Sequence, residues 1–169
     1  NILMAGTGAG KSLAMCHMAS ANMMDGKNVL YITMEMAEEK IAERIDANLL
    51  NVTLDDLKSL SKAMYDKKIA KLREKTVGKL IIKEYPTGTA SVATIRNHLE
   101  KLALRGFIPN VIIIDYADIM RSSREFDALR LELKLIYEDL RNLAMEKAIP
   151  IWTASQSNRE GSNADVVGL

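Results

Sequence analysis

The sequence contains little cysteine, little net charge and no long apolar run, and each shortage excludes a class of protein. A single cysteine, Cys16, excludes an intramolecular disulfide and fits a reducing compartment. The formal net charge of +1 gives no overall electrostatic sign of a nucleic-acid binder, although it does not speak against a local basic patch. Because no stretch of about 18 consecutive apolar residues is present, we expect no transmembrane helix and no membrane partner.

Internal repeats, low-complexity segments and a secretory signal peptide are also missing from the sequence. The 169 residues, 48% of them apolar and 27% charged, suit one globular domain that covers residues 1–169. The first residues already form the strand of the motif described next. We therefore expect the chain to be a fragment of a longer polypeptide.

What the sequence does contain is a glycine-rich loop between a strand and a helix. A short apolar run leads into Ala5-Gly6-Thr7-Gly8-Ala9-Gly10-Lys11-Ser12, and a helical pattern begins at Leu13. Strand, loop and helix in this order are typical of a phosphate-binding P-loop. The pattern G-x-x-x-x-G-K-[ST] is met except at its first position, where alanine replaces glycine.

Each part of this loop has a chemical role in binding a nucleotide. The glycines let backbone N–H groups converge on an anion with no Cβ in the way, and the helix that follows points the positive end of its dipole at the same anion. Lys11 supplies a charge for the β and γ phosphates, and Ser12 supplies a hydroxyl for Mg²⁺. The predicted nucleotide-binding residues are Gly6, Thr7, Gly8, Ala9, Gly10, Lys11, Ser12 and Leu13.

Apolar runs alternate with helical patterns along the rest of the chain. Further strands are predicted at 29–34, 79–85, 110–115 and 150–154. Helices are predicted at 13–24, 37–50, 53–60, 61–77, 91–105 and 128–147. The first helix is apolar nearly all round, which predicts burial between layers. The alternation predicts an α/β fold of the P-loop NTPase type, with a mostly parallel sheet of at least five strands flanked by helices.

Ligands of such sheets bind beyond the carboxyl ends of the strands, so polar residues there are candidates for chemistry. Asp115 follows an apolar strand, the Walker B pattern, and is predicted to hold Mg²⁺ together with Ser12. Glu35 is a candidate general base for the attacking water; the alternative is a carboxylate that only stabilises a helix N-terminus. Gln156 is a candidate sensor of the γ-phosphate, or else an ordinary loop glutamine.

Together these segments resemble the RecA-type ATPase domain of DnaB-type replicative hexameric helicases from bacteria and phages. The resemblance is carried by AGTGAGKS, YITMEM with Arg44 nine residues after its glutamate, NVIIIDYADIM and IPIWTASQSNREG. The resemblance covers nearly the whole chain, with these segments in the order of the family, and the family accepts alanine at the first P-loop position.

The resemblance implies that ATP and Mg²⁺ are bound, with Lys11, Glu35 and Gln156 as catalytic residues and Ser12 and Asp115 at the metal. It implies a homohexamer that translocates 5′ to 3′ on single-stranded DNA and unwinds duplex DNA. Primase and a helicase loader are the implied partners. The implied location is the cytoplasm, that of the host if a phage encodes the protein.

The resemblance also implies that the loops after the fourth and fifth strands face a central channel, where Arg121, Arg124 and Arg159 are predicted to contact DNA. The implied sheet order is third, second, fourth, fifth and first strand, with further strands beyond the first. From the resemblance we expect the arginine finger, the amino-terminal primase-interacting domain and the carboxy-terminal strands of the family to lie outside these 169 residues. We therefore expect the chain alone to bind nucleotide, to hydrolyse it poorly and not to unwind DNA.

Three other functions remain open from the sequence. A RecA- or RadA-like recombinase has the same ATPase fold but forms filaments. An ATP-driven regulatory switch would use hydrolysis to time a conformational change without moving DNA. A small-molecule kinase is less consistent with the sequence, because no second substrate lid is visible.

Overall fold

A five-stranded parallel sheet organises the computed structural model, which describes residues 1–74, 78–124 and 128–156. The strands are β1 (Ile2–Ala5), β2 (Val29–Thr33), β3 (Leu80–Glu84), β4 (Val111–Asp115) and β5 (Ile151–Gln156). Their order across the sheet is β1-β5-β4-β2-β3, and every neighbouring pair is parallel. The predicted α/β fold and the implied strand order are confirmed.

Six α-helices connect the strands in the described part of the chain. They are α1 (Lys11–Met24), α2 (Glu38–Leu50), α3 (Leu54–Ser59), α4 (Lys62–Arg73), α5 (Val92–Leu104) and α6 (Leu129–Lys147). A short 3₁₀ turn, Ala117–Ile119, follows β4. The last part of the predicted helix 61–77 lies outside the described residues. Within those residues, no helix combines the length and the apolarity needed to cross a membrane.

The two central strands bury both of their faces. Every residue of β2 and β4 is buried, as expected when helices cover a parallel sheet on both sides. Because side chains alternate along a strand, Leu30 and Ile32 pack with α5 and α6, while Val29 and Tyr31 pack with α1 and α2. The core therefore consists of two apolar layers, one on each face of the sheet.

The predicted burial of the first helix on all sides is wrong. One face of α1 is buried, including Cys16, which is 1% exposed. The outer face is not: Leu13 is 54% exposed and Met24 is 43% exposed. The reason is that α1 forms the outermost layer on its side of the sheet, and no described element packs over it.

Candidate nucleotide and metal site

The loop between β1 and α1 forms an open cradle at the carboxyl edge of the sheet. Gly8 and Gly10 have φ angles of +76° and +88°, which residues with a Cβ rarely adopt. A Cβ added at Gly6, Gly8 or Gly10 would meet no atom within 4 Å, so the space beside each of these glycines is open. No side chain caps α1. Its first N–H groups therefore remain available for an anion.

The Lys11 side chain folds back over this loop. Its ammonium group donates hydrogen bonds to the carbonyl oxygens of Ala5 and Gly6, both at 2.8 Å. A lysine ammonium has three protons to donate, so one remains for a phosphate oxygen. The two carbonyls hold the positive charge at the mouth of the cradle.

Asp115, the last residue of β4, is a buried carboxylate with two hydroxyl donors. It is 2% exposed. It accepts hydrogen bonds from Ser12 and, at 3.1 Å, from the Tyr31 hydroxyl. Burial raises the pKa of Asp115 above its ordinary value, and the two hydrogen bonds oppose that shift. A cation beside the carboxylate would further favour its charged form.

Behind Asp115 lies a buried relay of hydrogen bonds that the sequence did not reveal. The Cys16 thiol donates to the Tyr31 oxygen across 3.8 Å, and the Tyr31 hydroxyl donates to Asp115. Burial raises the pKa of both the thiol and the phenol, so both are protonated donors at neutral pH. In the sequence, nothing distinguishes Tyr31 from the apolar residues of its strand. Only the fold brings its hydroxyl within hydrogen-bond distance of Asp115.

The strand register explains why the ends of several strands meet at one place. Thr33 of β2 pairs with Asp115 of β4, and Ala5 of β1 pairs with Gln156 of β5. Gln156 is itself the last residue of β5, two residues beyond the predicted end of that strand. The chain therefore leaves all four strands at the same edge of the sheet.

A cavity of about 260 Å³ at this edge brings the predicted residues together. The cavity is lined by Thr7, Gly8, Gly10, Lys11, Ser12, Leu13, Glu35, Arg44, Asp115, Tyr116 and Gln156. Glu35 and Gln156 are exposed on its rim, while Asp115 is buried at its base. One opening thus combines a glycine-rich loop, two carboxylates, two cationic side chains and an amide.

Sequence reasoning assigned no role to two residues of this cavity, Arg44 and Tyr116. Arg44 lies on α2, and its charge partly offsets the effect of burial on the pKa of Asp115. The sequence held one signal for Arg44. It lies three residues after Ile41, which is buried on α2, and residues three apart share a helix face. Tyr116 follows Asp115 directly, and this position alone could have identified it as a candidate lining residue.

Two of the arginines predicted to contact DNA, Arg121 and Arg124, are not among the residues that line this cavity. Arg121 and Arg124 are exposed after the 3₁₀ turn. The backbone N–H of Arg121 donates to the Ala90 carbonyl at 2.8 Å, and that of Arg124 donates to the Ser122 hydroxyl at 3.3 Å. Arg159 lies outside the described residues. Contact of these arginines with DNA stays a prediction.

The oxygen donors at Ser12 and Asp115 suit Mg²⁺. This ion is a hard cation that keeps several waters and is held by one or two carboxylates together with substrate phosphates. Ser12 and Asp115 are already hydrogen-bonded to each other, and the glycines of the neighbouring loop have open space beside them. The site thus offers a hydroxyl, a carboxylate and space for phosphates.

Sequence comparison identifies relatives among replicative helicases. The family model described as the DnaB-like helicase C terminal domain matches residues 1–165. The chain is 45% identical over 176 residues to the DnaB-like replicative helicase of Enterobacteria phage T4, a match that covers 100% of this chain and 37% of the phage protein. It is 27% identical over 158 residues to the replicative DNA helicase DnaB of Helicobacter pylori strain 26695, covering 92% of this chain and 32% of that protein.

Structural comparison agrees on the fold. A solved structure of a DnaB-like replicative helicase, described with its interactions with primase, superposes with a TM-score of 0.79 at 15% identity. That match covers 99% of this chain and 41% of the other. A second solved structure, described as an ATPase domain, gives a TM-score of 0.78 at 16% identity, over 97% of this chain and 59% of the other. The chain spans about a third of the length of the two curated relatives above.

Proposed function

Because the chain belongs to the family of DnaB-like helicase C-terminal domains, we propose that it is the ATP-hydrolysing motor domain of a replicative DNA helicase. In this proposal residues 1–169 form one RecA-like unit, and its homohexamer moves 5′ to 3′ on single-stranded DNA and unwinds the duplex. The observation that carries the proposal is a single cavity that Lys11, Ser12, Glu35, Asp115 and Gln156 line together.

The first task of the site is to hold the nucleotide phosphates. The open cradle between β1 and α1 offers backbone N–H groups, and the uncapped start of α1 adds its dipole. Lys11 contributes the remaining proton of its ammonium group to a β- or γ-phosphate oxygen. Ser12 and Asp115 would hold Mg²⁺, and the bound ion would neutralise charge that develops on the phosphates.

The second task is hydrolysis of the γ-phosphoryl group. The oxygen of a water molecule forms a bond to the γ-phosphorus, and the bond between that phosphorus and the bridging oxygen of ADP breaks. Glu35, exposed on the rim of the cavity, orients this water and accepts its proton. Lys11 stabilises the charge that passes to the departing ADP. The Gln156 amide donates to a γ-phosphate oxygen and loses this partner when phosphate leaves.

The remaining parts of the proposal concern the whole assembly. We place DNA contacts at Arg121, Arg124 and Arg159, and we place an arginine finger on a neighbouring subunit. Primase and a helicase loader are the proposed partners, and the cytoplasm the proposed location. Support for a primase partner comes from the description of one structural relative, which mentions interactions with primase.

The decisive experiment uses the complete polypeptide that carries this domain. We expect ATP hydrolysis that single-stranded DNA stimulates, and strand displacement on a fork with a free 5′ tail but not on one with only a 3′ tail. Electron microscopy with nucleotide and DNA should show rings. Filaments that catalyse strand exchange would instead support a recombinase. ATP hydrolysis that is insensitive to DNA, without unwinding, would support a regulatory switch.

Tyr31→Phe tests the proposed metal role of Asp115 because it removes only the hydroxyl that donates to this carboxylate. Groups that orient a metal ligand typically affect metal affinity by about 10- to 100-fold. We therefore expect the Mg²⁺ concentration for half-maximal nucleotide binding to rise by about 10- to 100-fold. Titration of a fluorescent ATP analogue with Mg²⁺ measures this.

Tyr65→Phe is the matched control for this substitution. It removes another tyrosine-to-aspartate hydrogen bond, from Tyr65 to Asp46 at 2.6 Å, and neither of these residues lines the cavity. Its Mg²⁺ dependence should match that of the wild type. Equal Mg²⁺ dependence of the two variants would contradict the role given to Tyr31.

A further inference from the structure

Asp118, in the 3₁₀ turn after β4, gathers hydrogen bonds from two other elements. Its Oδ1 accepts from the Tyr137 hydroxyl on α6. Its Oδ2 accepts from the Ser155 hydroxyl at 2.9 Å and from the backbone N–H of Gln156 at 3.1 Å, both at the end of β5. Hydrogen bonds to a carboxylate are stronger than those between neutral groups. This single side chain therefore ties the end of β5 to the turn and to α6.

Backbone pairing with β4 does not extend to the end of β5. The register between β4 and β5 runs from Ile112 opposite Ile151 to Ile114 opposite Thr153. Beyond Thr153, β5 has ladder partners only on β1. Its last two residues are fastened on the β4 side by the carboxylate of Asp118. On the side facing β4, the position of Gln156 thus depends on the Asp118 side chain and not on backbone hydrogen bonds between strands.

Side chains and backbone groups also fasten the turn itself. The Thr153 hydroxyl accepts from the N–H of Ala117 and donates to the carbonyl of Ile114, both at 2.9 Å. On the opposite side, the N–H of Gly88 donates to the Ile119 carbonyl at 3.0 Å. These hydrogen bonds hold the turn in place. Asp118 is therefore well positioned to restrain the backbone of Gln156.

We propose that Asp118 is a positioning residue that sets the Gln156 amide toward the γ-phosphate. The proposal rests on the γ-phosphate role given to Gln156 under the proposed function. ADP has no γ-phosphate, so loss of Asp118 affects binding of ATP but not of ADP. A side chain that only stabilised the fold would affect both nucleotides equally.

The test compares binding of ADP and of the non-hydrolysable β,γ-imido analogue of ATP. In Asp118→Ala we expect analogue binding to weaken by about five- to tenfold, the size of one displaced hydrogen bond, with ADP binding unchanged. Asp118→Asn should restore most of the loss. Its carbonyl can accept from Ser155 and Gln156 while its amide donates to the Tyr137 oxygen.

Two further variants make the test specific. Asp139→Ala is the matched control. Asp139 also accepts a hydrogen bond from a serine hydroxyl, but the donor is Ser123, at 2.9 Å, and not a residue of β5. We expect no change in the binding of either nucleotide. Ser155→Ala removes one donor to Asp118 and should give a smaller loss of the same kind. It keeps the proposal testable if Asp118→Ala does not fold.

Gln156→Ala separates failure of this proposal from failure of the proposed function. If Asp118 acts through Gln156, the double variant loses no more analogue affinity than Gln156→Ala alone, because coupled residues are not additive. If Gln156→Ala weakens analogue binding but folded Asp118→Ala does not, or weakens ADP equally, the positioning role is overturned. If Gln156→Ala has no effect, the sensor role fails, and the Asp118 proposal fails with it.

Discussion

Lys11→Ala is expected to lower ATP turnover by about 10²- to 10³-fold, the loss seen when one preorganised donor to a developing charge is removed. The ammonium group is held by two loop carbonyls at 2.8 Å, so its charge is in place before the nucleotide arrives. Alanine removes this charge and leaves the carbonyls of Ala5 and Gly6 without their donor. Nucleotide affinity and single-turnover hydrolysis measure the two consequences separately.

Lys27→Ala is the control for a general loss of positive charge. Lys27 is exposed in the turn after α1, outside the cavity lining, and its substitution should change neither affinity nor turnover. Thermal unfolding of the Lys11 variant shows whether the loop change has affected the fold. If the folded variant kept wild-type turnover, the P-loop assignment would be wrong.

Glu35→Gln is expected to lower turnover by about 10²- to 10⁴-fold, the usual contribution of a general acid or base. The amide has nearly the same shape as the carboxylate but cannot accept the proton of the attacking water. Nucleotide binding should be retained, because in the proposed function the P-loop, and not Glu35, holds the phosphates. Hydrolysis under single-turnover conditions, with separately measured nucleotide affinity, distinguishes these two effects.

Glu39→Gln is a matched control that also tests the alternative role of Glu35. Glu39 is exposed in the first turn of α2, where a carboxylate stabilises a helix by about 0.3–1 kcal/mol. Its substitution should lower the free energy of unfolding slightly and leave turnover unchanged. If the two variants behaved alike, Glu35 would be a helix-stabilising carboxylate and not a base.

Much of the fold could be predicted because its signals are local. The apolar composition of the runs that form β2 and β4 is enough to predict buried parallel strands. The residues that predict phosphate binding are consecutive, from Ala5 to Ser12. The strand order, by contrast, came from the resemblance to a family and not from any periodicity. The topology of the sheet confirmed it.

Where prediction failed, it failed on relations between distant segments. The apolar composition of α1 predicted burial on all sides, but burial depends on which neighbours cover a helix, and Leu13 and Met24 remain exposed. Arg44 contributes a charge to the cavity because α2 packs beside the P-loop helix. The apolar stripe of α2 indicates which face of that helix turns inward, but it does not indicate what that face meets.

The sequence by itself determined that this chain has a glycine-rich loop between a strand and a helix, parallel strands and polar residues at the strand ends. These features follow from residue type and short-range spacing. Only the tertiary structure decided which side chains support them: the Tyr31 hydroxyl beneath Asp115, and the Asp118 carboxylate that holds the end of β5. The physical reason is that a hydrogen bond is made between atoms near in space, and Tyr31 lies 84 residues from Asp115 along the chain.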